Sequence, residues 1–332
     1  MTAQILFSED KQQYLLLQLD DALLGQPLVI KSASSSSSVL CTPTQTFTLK
    51  DVQQSNSLLF LADSSSNDLV VQGEGSSWLE TTRVTPSIKL NLDIHNPDDG
   101  LVGKGFPADV LFSRIAASDA EIEAALSQEL AIDLAVCGGF VELHVDYVLR
   151  LLGSLINMIQ AADMQLTSVD EETFKAAAKD EEDAETLVFL LHRFSNGAPL
   201  CLDGDDICRY TGEAALKQVA RHPCSLATFK AAWQEMTPVQ YRGQAVALSL
   251  LEGSYVQPAS NLIQYFAASS LSRNPKARLT QLFDVKERWR EEEISTFLSS
   301  LVDGDAKAIN SLIMKFARKV KIGKESFVEA RR

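Results

Sequence analysis

The chain has 332 residues, 45% of them hydrophobic and 22% charged, a composition that supports a packed core and excludes wholesale disorder. At about 100–200 residues per domain, the length allows two or three domains. Thirty lysines and arginines against 44 aspartates and glutamates give a net charge of −14, so overall charge cannot attract nucleic acid, and any such contact must sit on a local basic patch.

The segment from Met1 to Gln13 lacks a basic flank followed by an apolar run and predicts no signal peptide. Tyr147 to Ile159 is the longest apolar-rich stretch, but Arg150, Ser154 and Asn157 interrupt it, so no membrane span is expected. Five cysteines, odd in number and scattered, predict reduced thiols in a soluble intracellular protein.

Residues 1–95 read as β. Leu28-Val29-Ile30 and Val39-Leu40-Cys41 flank a serine run, Ser34 to Ser38, that reads as a hairpin tip. Phe47, Leu49 and Val52 precede an expected turn before the block Leu58-Leu59-Phe60-Leu61, and Ser64 to Asp68 is a second loop. Leu69-Val70-Val71 follows, then Gly73-Glu74-Gly75, read as a β turn. Ile88, Leu90, Leu92 and Ile94 alternate with polar residues as a strand does. Short strands spaced by turn residues predict a sandwich or barrel.

Asn96-Pro97-Asp98-Asp99-Gly100, with Gly103 and Gly105, marks a linker over 96–117. Helices dominate beyond it. Ser118 with Glu121 forms a capping box, and Ile122, Ala125, Leu126 and Leu130 form an apolar face. Val141, Leu143 and Val145 alternate, with His144 on the opposite, exposed face. A long helix then buries Val148, Leu151, Leu152, Leu155, Ile156 and Ile159. Asp170 to Glu172 and Asp180 to Asp183 read as solvated helix ends. A helix from Glu213 to Ala220, a turn at Arg221 to Cys224, and a helix capped by Ser225 running to Met236 make a helix-turn-helix skeleton. A similar cadence starts near Arg278, passes Trp289 and Ile294 to Leu301, and ends in a helix from Ala306 to about Val320. These cadences outline winged-helix units over 118–200, 201–275 and 276–332.

Enzyme signatures are missing: no P-loop, no dinucleotide fingerprint, no G-x-S-x-G elbow and no H-E-x-x-H. Asp203-Gly204-Asp205-Asp206 and Asp303-Gly304-Asp305 lack the glycine and glutamate of a calcium loop and read as helix N-termini. Cys201, Cys208, His222 and Cys224 lack zinc-knuckle spacing. The expectation is no enzyme, no metal and no cofactor.

The charge anomaly lies at the end. From Ala306 to Arg332 eight cations face two acids, a net +6 against −20 for the rest. At about 100° per residue, Ile309, Leu312, Ile313, Phe316 and Val320 fall within roughly 60° of one direction, with Lys307, Ser311 and Arg318 opposite and Lys315 and Lys321 flanking. Lys307, Lys315, Arg318, Lys319, Lys321 and Lys324 are therefore candidates for contact with DNA phosphates, with Lys321-Ile322-Gly323-Lys324 as a wing. The other reading is a solvated terminal helix whose cations suit its negative end.

Leu24-Gly25-Gln26-Pro27-Leu28-Val29-Ile30-Lys31, Val39 to Thr42, Thr46 to Lys50 and Gln54 to Leu59 resemble the sister chromatid cohesion Dcc family. Leu251-Glu252-Gly253, Tyr265-Phe266 and Arg278 to Phe283 with Trp289 are similar too. The resemblance implies a non-catalytic cohesion subunit of the alternative, Ctf-type replication factor C clamp loader. It implies an α+β multidomain chain in which an N-terminal β-barrel-like domain is completed by the large and small loader subunits and followed by tandem winged helices. Those helices would meet the catalytic subunit of DNA polymerase epsilon and DNA, with proliferating cell nuclear antigen reached through the loader, in the nucleus. A rival reading is a cytosolic tandem winged-helix scaffold of the membrane-sorting type.

Overall fold

The computed structural model describes residues 5–7, 14, 16–32, 38–63, 69–243, 247–302, 304–323 and 325–331. Within them the chain is mixed α+β, with ten α-helices and several separate sheets. It divides into two compact units, Met1–His144 and Val145–Arg332. No described helix is long and apolar enough to cross a membrane. Most of the two expected loops, Ser34 to Ser37 and Ser64 to Asp68, lies outside the described residues.

The first unit opens with β1 (Ile5–Phe7), β2 (Leu17–Gln18), β3 (Val29–Lys31), β4 (Val39–Cys41), β5 (Thr46–Asp63) and β6 (Leu69–Val84). They form one curled sheet in the order β1-β6-β5-β4-β3, with β2 also on β6. β5 and β6, at 18 and 16 residues, far outrun a typical strand of about 5–6. The turn expected after Val52 is absent. Gln54 to Ser57 stay in the strand as an irregularity where the register slips between Gln53↔Ser77 and Leu58↔Gly75. Gly73 and Gly75 likewise sit inside β6, not in a turn. Gly73 pairs with Phe60, and a Cβ at Gly75 would lie 3.5 Å from the Phe60 ring, which stacks on Tyr14. Among the described residues Leu23, Val39, Leu40, Cys41, Phe47 and Val71 are buried, whereas Leu24, Val29, Ile30, Leu59 and Leu61 are exposed.

The expected strand over Ile88 to Ile94 forms only as β7 (Ile94–His95). The alternation reports the inward face for three of its four members, since Ile94 is exposed. Leu90 is buried and Ile88 and Leu92 are half-buried against α1 (Ala108–Arg114) and α2 (Asp119–Gln128). β7 pairs in parallel with β9 (Gly139–Leu143), which also pairs with β8 (Ala131–Leu134). Residues 96–117 are thus no linker, since they supply α1 and the buried Leu111 and Ala117. Residues 118–144, expected to begin the helical region, pack in this first unit instead. The capping box of Ser118 and Glu121 is present and reaches the sheet. Thr46, fully buried on β5, donates to Glu121 Oε2 and accepts from Ser118 N at 2.8 Å, while Lys31 pairs with Asp119 at 2.6 Å. His144 is half-buried, its Nδ1 3.4 Å from Asn96 Nδ2, and not the exposed imidazole expected.

The second unit runs through three successive groups of elements that are alike in outline, each closing on a pair of short strands. First come α3 (Val145–Ala161), α4 (Glu171–Ala178), α5 (Ala184–Arg193), β10 (Ser195–Asn196) and β11 (Cys201–Leu202), with a bridge Val169↔Leu200 after α3. Next come α6 (Gly204–Val219), β12 (Cys224–Ser225), α7 (Leu226–Met236), two 3-10 turns at Val239–Tyr241 and Leu248–Leu251, then β13 (Tyr255–Val256) and β14 (Leu262–Tyr265). Last come α8 (Pro275–Val285), β15 (Arg288–Arg290), α9 (Glu291–Leu298), α10 (Ala306–Phe316), β16 (Ala317–Ile322) and β17 (Glu325–Ala330). The sheets run β12-β14-β13 and β15-β17-β16, so in both the final strand lies in the middle. Side-chain oxygens of Asp170, Asp203, Ser225 and Asp305 accept first-turn N–H groups at the starts of α4, α6, α7 and α10. On α3 the predicted stripe is buried in full.

Candidate nucleic-acid interface

Residues 275–331 carry most of the chain's basic anomaly. Asn274 caps α8, accepting from Lys276 N and Ala277 N, with Pro275 in the first turn. On β15 the alternation exposes Arg288 and Arg290 and buries Trp289, whose Nε1 donates to Leu282 O at 3.0 Å. α10 starts at the Asp305 cap, buries Ile309 and Ile313, and turns Lys307, Asn310, Ser311, Met314 and Lys315 outward.

α10 ends at Phe316, one turn before the expected Val320. Ala317 is extended (φ −133°, ψ 178° from zero in the negative sense), and the chain enters β16, crosses Gly323 at φ +64° and returns as β17. The pattern over 316–322 satisfies both periods, and the six-residue pairing with β17 decides it. Arg331 then closes the helix end, donating from Nε to Ala317 O at 3.0 Å and from Nη2 to Met314 O.

This relocates the candidate residues. Lys307 and Lys315 lie on α10 as expected, whereas Arg318, Lys319 and Lys321 lie on β16, not on a helix face. Lys324 lies outside the described residues. Arg318 and Arg288 flank Glu329 as its register partners on both sides and clasp its carboxylate at 2.8 and 2.7 Å. The Arg318 guanidinium, with that of Arg288, holds the Glu329 carboxyl below its ordinary range. Lys319 pairs with Glu291 and, with a hydrogen bond from Ser326, lowers that carboxyl too. Arg290 pairs with Glu325 at 3.2 Å. Lys307, Lys315 and Lys321 are exposed and make no ion pair with the described residues; Lys315 Nζ sits 5.2 Å from the Phe316 ring.

Exposed ammonium groups on a helix and a neighbouring hairpin can meet phosphate oxygens, and Asn310 and Ser311 between them can donate or accept. Arg288 and Arg290 were missed in the sequence because they precede the basic segment; only the strand register brings them beside it. Elsewhere, a cleft of about 510 Å³ lined by Glu252, Tyr255, Lys286, Arg290, Glu292 and Phe297 mixes both charge signs. No group of three or more His, Cys, Asp or Glu among the described residues could hold a metal ion. Cys208 is buried on α6, where burial pushes its thiol up to about 11. Cys137 Sγ lies 3.4 Å from His95 Nδ1, a pairing across the first unit that spacing did not suggest.

A family model described as sister chromatid cohesion protein Dcc1 matches residues 14–298. The chain is similar to the sister chromatid cohesion protein DCC1 of Danio rerio, 24% identical over 92% of this chain and 86% of that protein. It is also similar to those of Homo sapiens, 24% over 90% and 82%, and Saccharomyces cerevisiae, 28% over 57% and 53%.

Proposed function

The chain belongs to the Dcc1 family of sister chromatid cohesion proteins, and from that premise we propose that it is a non-catalytic subunit of a Ctf-type replication factor C clamp loader in the nucleus. The family match over residues 14–298 carries this reading and favours it over a cytosolic sorting scaffold. Adaptor function fits a molecule that works through surfaces, with catalysis left to other subunits. Pull-down of the tagged chain from nuclear extract, followed by mass spectrometry, is expected to recover the large and small loader subunits and the catalytic subunit of polymerase epsilon. Recovery of none of them would refute the proposal.

The front sheet is proposed as the face completed by the large and small loader subunits. Its strand β3 ends the sheet with Val29 and Ile30 each more than half exposed (54% and 53%). Such an edge favours pairing with another chain. Co-expression with those two subunits is expected to raise the melting temperature of the first unit by several degrees, since binding to the folded state alone stabilises it. An unchanged transition would count against a shared sheet.

The repeats of the second unit are proposed to be winged helices, supported in the third by the order helix, strand, helix, helix, hairpin and in the second and third by the central final strand. α10 would then lie against the DNA groove, with the β16–β17 hairpin as wing. Among the described residues the second repeat has short 3-10 turns where α10 stands in the third, which favours the third as the DNA-facing member. Lys307, Lys315 and Lys321 are the contacts of choice, because Arg318 and Lys319 already hold carboxylates. Changing those three to glutamate is expected to weaken duplex binding at least about tenfold and to flatten its salt dependence by about 0.9 in log–log slope per lost contact. Thermal unfolding should not change. Equal affinity at low salt would leave these lysines merely solvated.

A further inference from the structure

We infer that the second and third repeats move as one rigid body, because Arg278 makes the segment joining them a clamp and not a hinge. Residues 266–274, Phe-Ala-Ala-Ser-Ser-Leu-Ser-Arg-Asn, have the small, polar composition of a flexible connector. The structure ties them down on both sides. Toward the second repeat, Phe266 N donates to Ser254 O at 2.9 Å and Ala268 N to Gly253 O at 2.7 Å.

Toward the third repeat the tie is Arg278, on α8 and only 3% exposed. All five of its N–H donors find oxygen acceptors: Nε meets Ser272 O at 2.7 Å, Nη1 meets Phe297 O at 2.7 Å and Ser300 Oγ at 2.9 Å, and Nη2 meets Ala268 O at 3.0 Å and Leu271 O at 3.2 Å. None of these acceptors is a carboxylate. The charge is met by carbonyl dipoles, one of them at the negative end of α9. Three acceptors lie in the connector itself, so any swing of the connector strands buried donors.

Apolar packing runs the same way. Val256 of β13 and Leu271 of the connector lie in one core with Leu282, Trp289 and Phe297, and the Phe266 and Phe297 rings are 5.5 Å apart. The two repeats therefore share a core as well as a clamp. Whatever partners they bind meet two surfaces at a fixed relative angle. This holds whether or not either surface contacts DNA.

Hydrogen exchange on the full-length chain tests it. In the wild type, amides of 266–272 are expected to exchange as slowly as those of α8, and trypsin to spare the exposed Arg273. Arg278→Met keeps the bulk and removes the donors; exchange across 266–272 should quicken at least about tenfold and cleavage after Arg273 should appear. Arg278→Lys should behave like the methionine variant, because an ammonium cannot reproduce the planar fork. Exchange of 266–272 at unprotected rates in the wild type, beside protected α6 and α8, would overturn the inference. So would a methionine variant identical to wild type. Should that variant fail to fold, the wild-type exchange pattern alone decides.

Discussion

Replacing Trp289 with alanine is expected to unfold the third repeat. The side chain is fully buried, meets Phe297 edge-on with ring centroids 5.4 Å apart, and carries Lys286 Nζ 5.2 Å above its face. Emptying a site of that size costs about 3–5 kcal/mol. The change also leaves Leu282 O without its indole donor, a further cost of about 1–3 kcal/mol if no water replaces it. Set against the roughly 5–15 kcal/mol that holds a domain together, the sum removes most of the margin. Urea unfolding followed by circular dichroism should show a transition lost or moved far to lower denaturant. DNA retention, if the third repeat provides it, should disappear with the fold. That outcome differs in kind from the lysine substitutions, which alter binding and spare the transition. A midpoint within experimental error of wild type would show that Trp289 is not central to this core.

Gly139→Ala is expected to do comparable damage in the first unit. Gly139 opens β9 at φ +145°, a conformation open in practice only to glycine, and an added Cβ would stand 2.4 Å from Phe106 O and 2.8 Å from Pro107 N. Neither atom can step aside, because both belong to backbone. Facing it, Gly105 is equally tight, its own Cβ position 2.4 Å from Gly139 N. This close crossing lets Phe106 and Phe140 exchange two backbone hydrogen bonds of 2.9 Å each. Strain of about 1–3 kcal/mol and the loss of that pair give an expected cost of about 3–5 kcal/mol. Calorimetry should show the transition of the first unit shifted down, with that of the second unit in place. An unmoved first transition would mean that the crossing relaxes without penalty.

Two helix starts were legible in the sequence because their signal is local, whereas the helix expected from Glu213 begins at Gly204 and α1 lies in the stretch expected to be a linker. Ser118 with Glu121, and Ser225, announce a first turn within four residues of chain, and the structure places caps on both. The α3 stripe was legible for the same reason. Strands were legible as to which side faces inward, but not as to what they pair with. Ile88 to Leu92 point into a core without joining a ladder, since a ladder depends on a distant partner. Gln54 to Ser57 looked like a turn because polar residues there sit in an irregular stretch of a long hairpin. The end of α10 was ambiguous by composition: residues 316–320 fit a helical wheel and an alternating strand equally well, and β17 settles the matter. The basic run was plain to see, yet its division into paired and unpaired cations was not. That division depends on Glu291 and Arg288, both upstream of the run. Arg278 and Trp289 stood out in the sequence as landmarks of a cadence and of a resemblance; the five hydrogen bonds of Arg278 and the full burial of Trp289 are properties of the fold.

Lys31 has a consequence for how the polypeptide behaves when its border is uncovered. A lysine on a border strand ordinarily discourages clumping by holding its charge over the open margin. Here the ammonium is drawn inward, to Asp119 at 2.6 Å and Phe112 O at 3.3 Å, and its side chain is only 14% exposed. Among the described residues of β3 the margin is therefore left with the exposed Val29 and Ile30. A border of that kind is open to pairing with another strand, so self-association at rising concentration is the expected behaviour of uncovered copies.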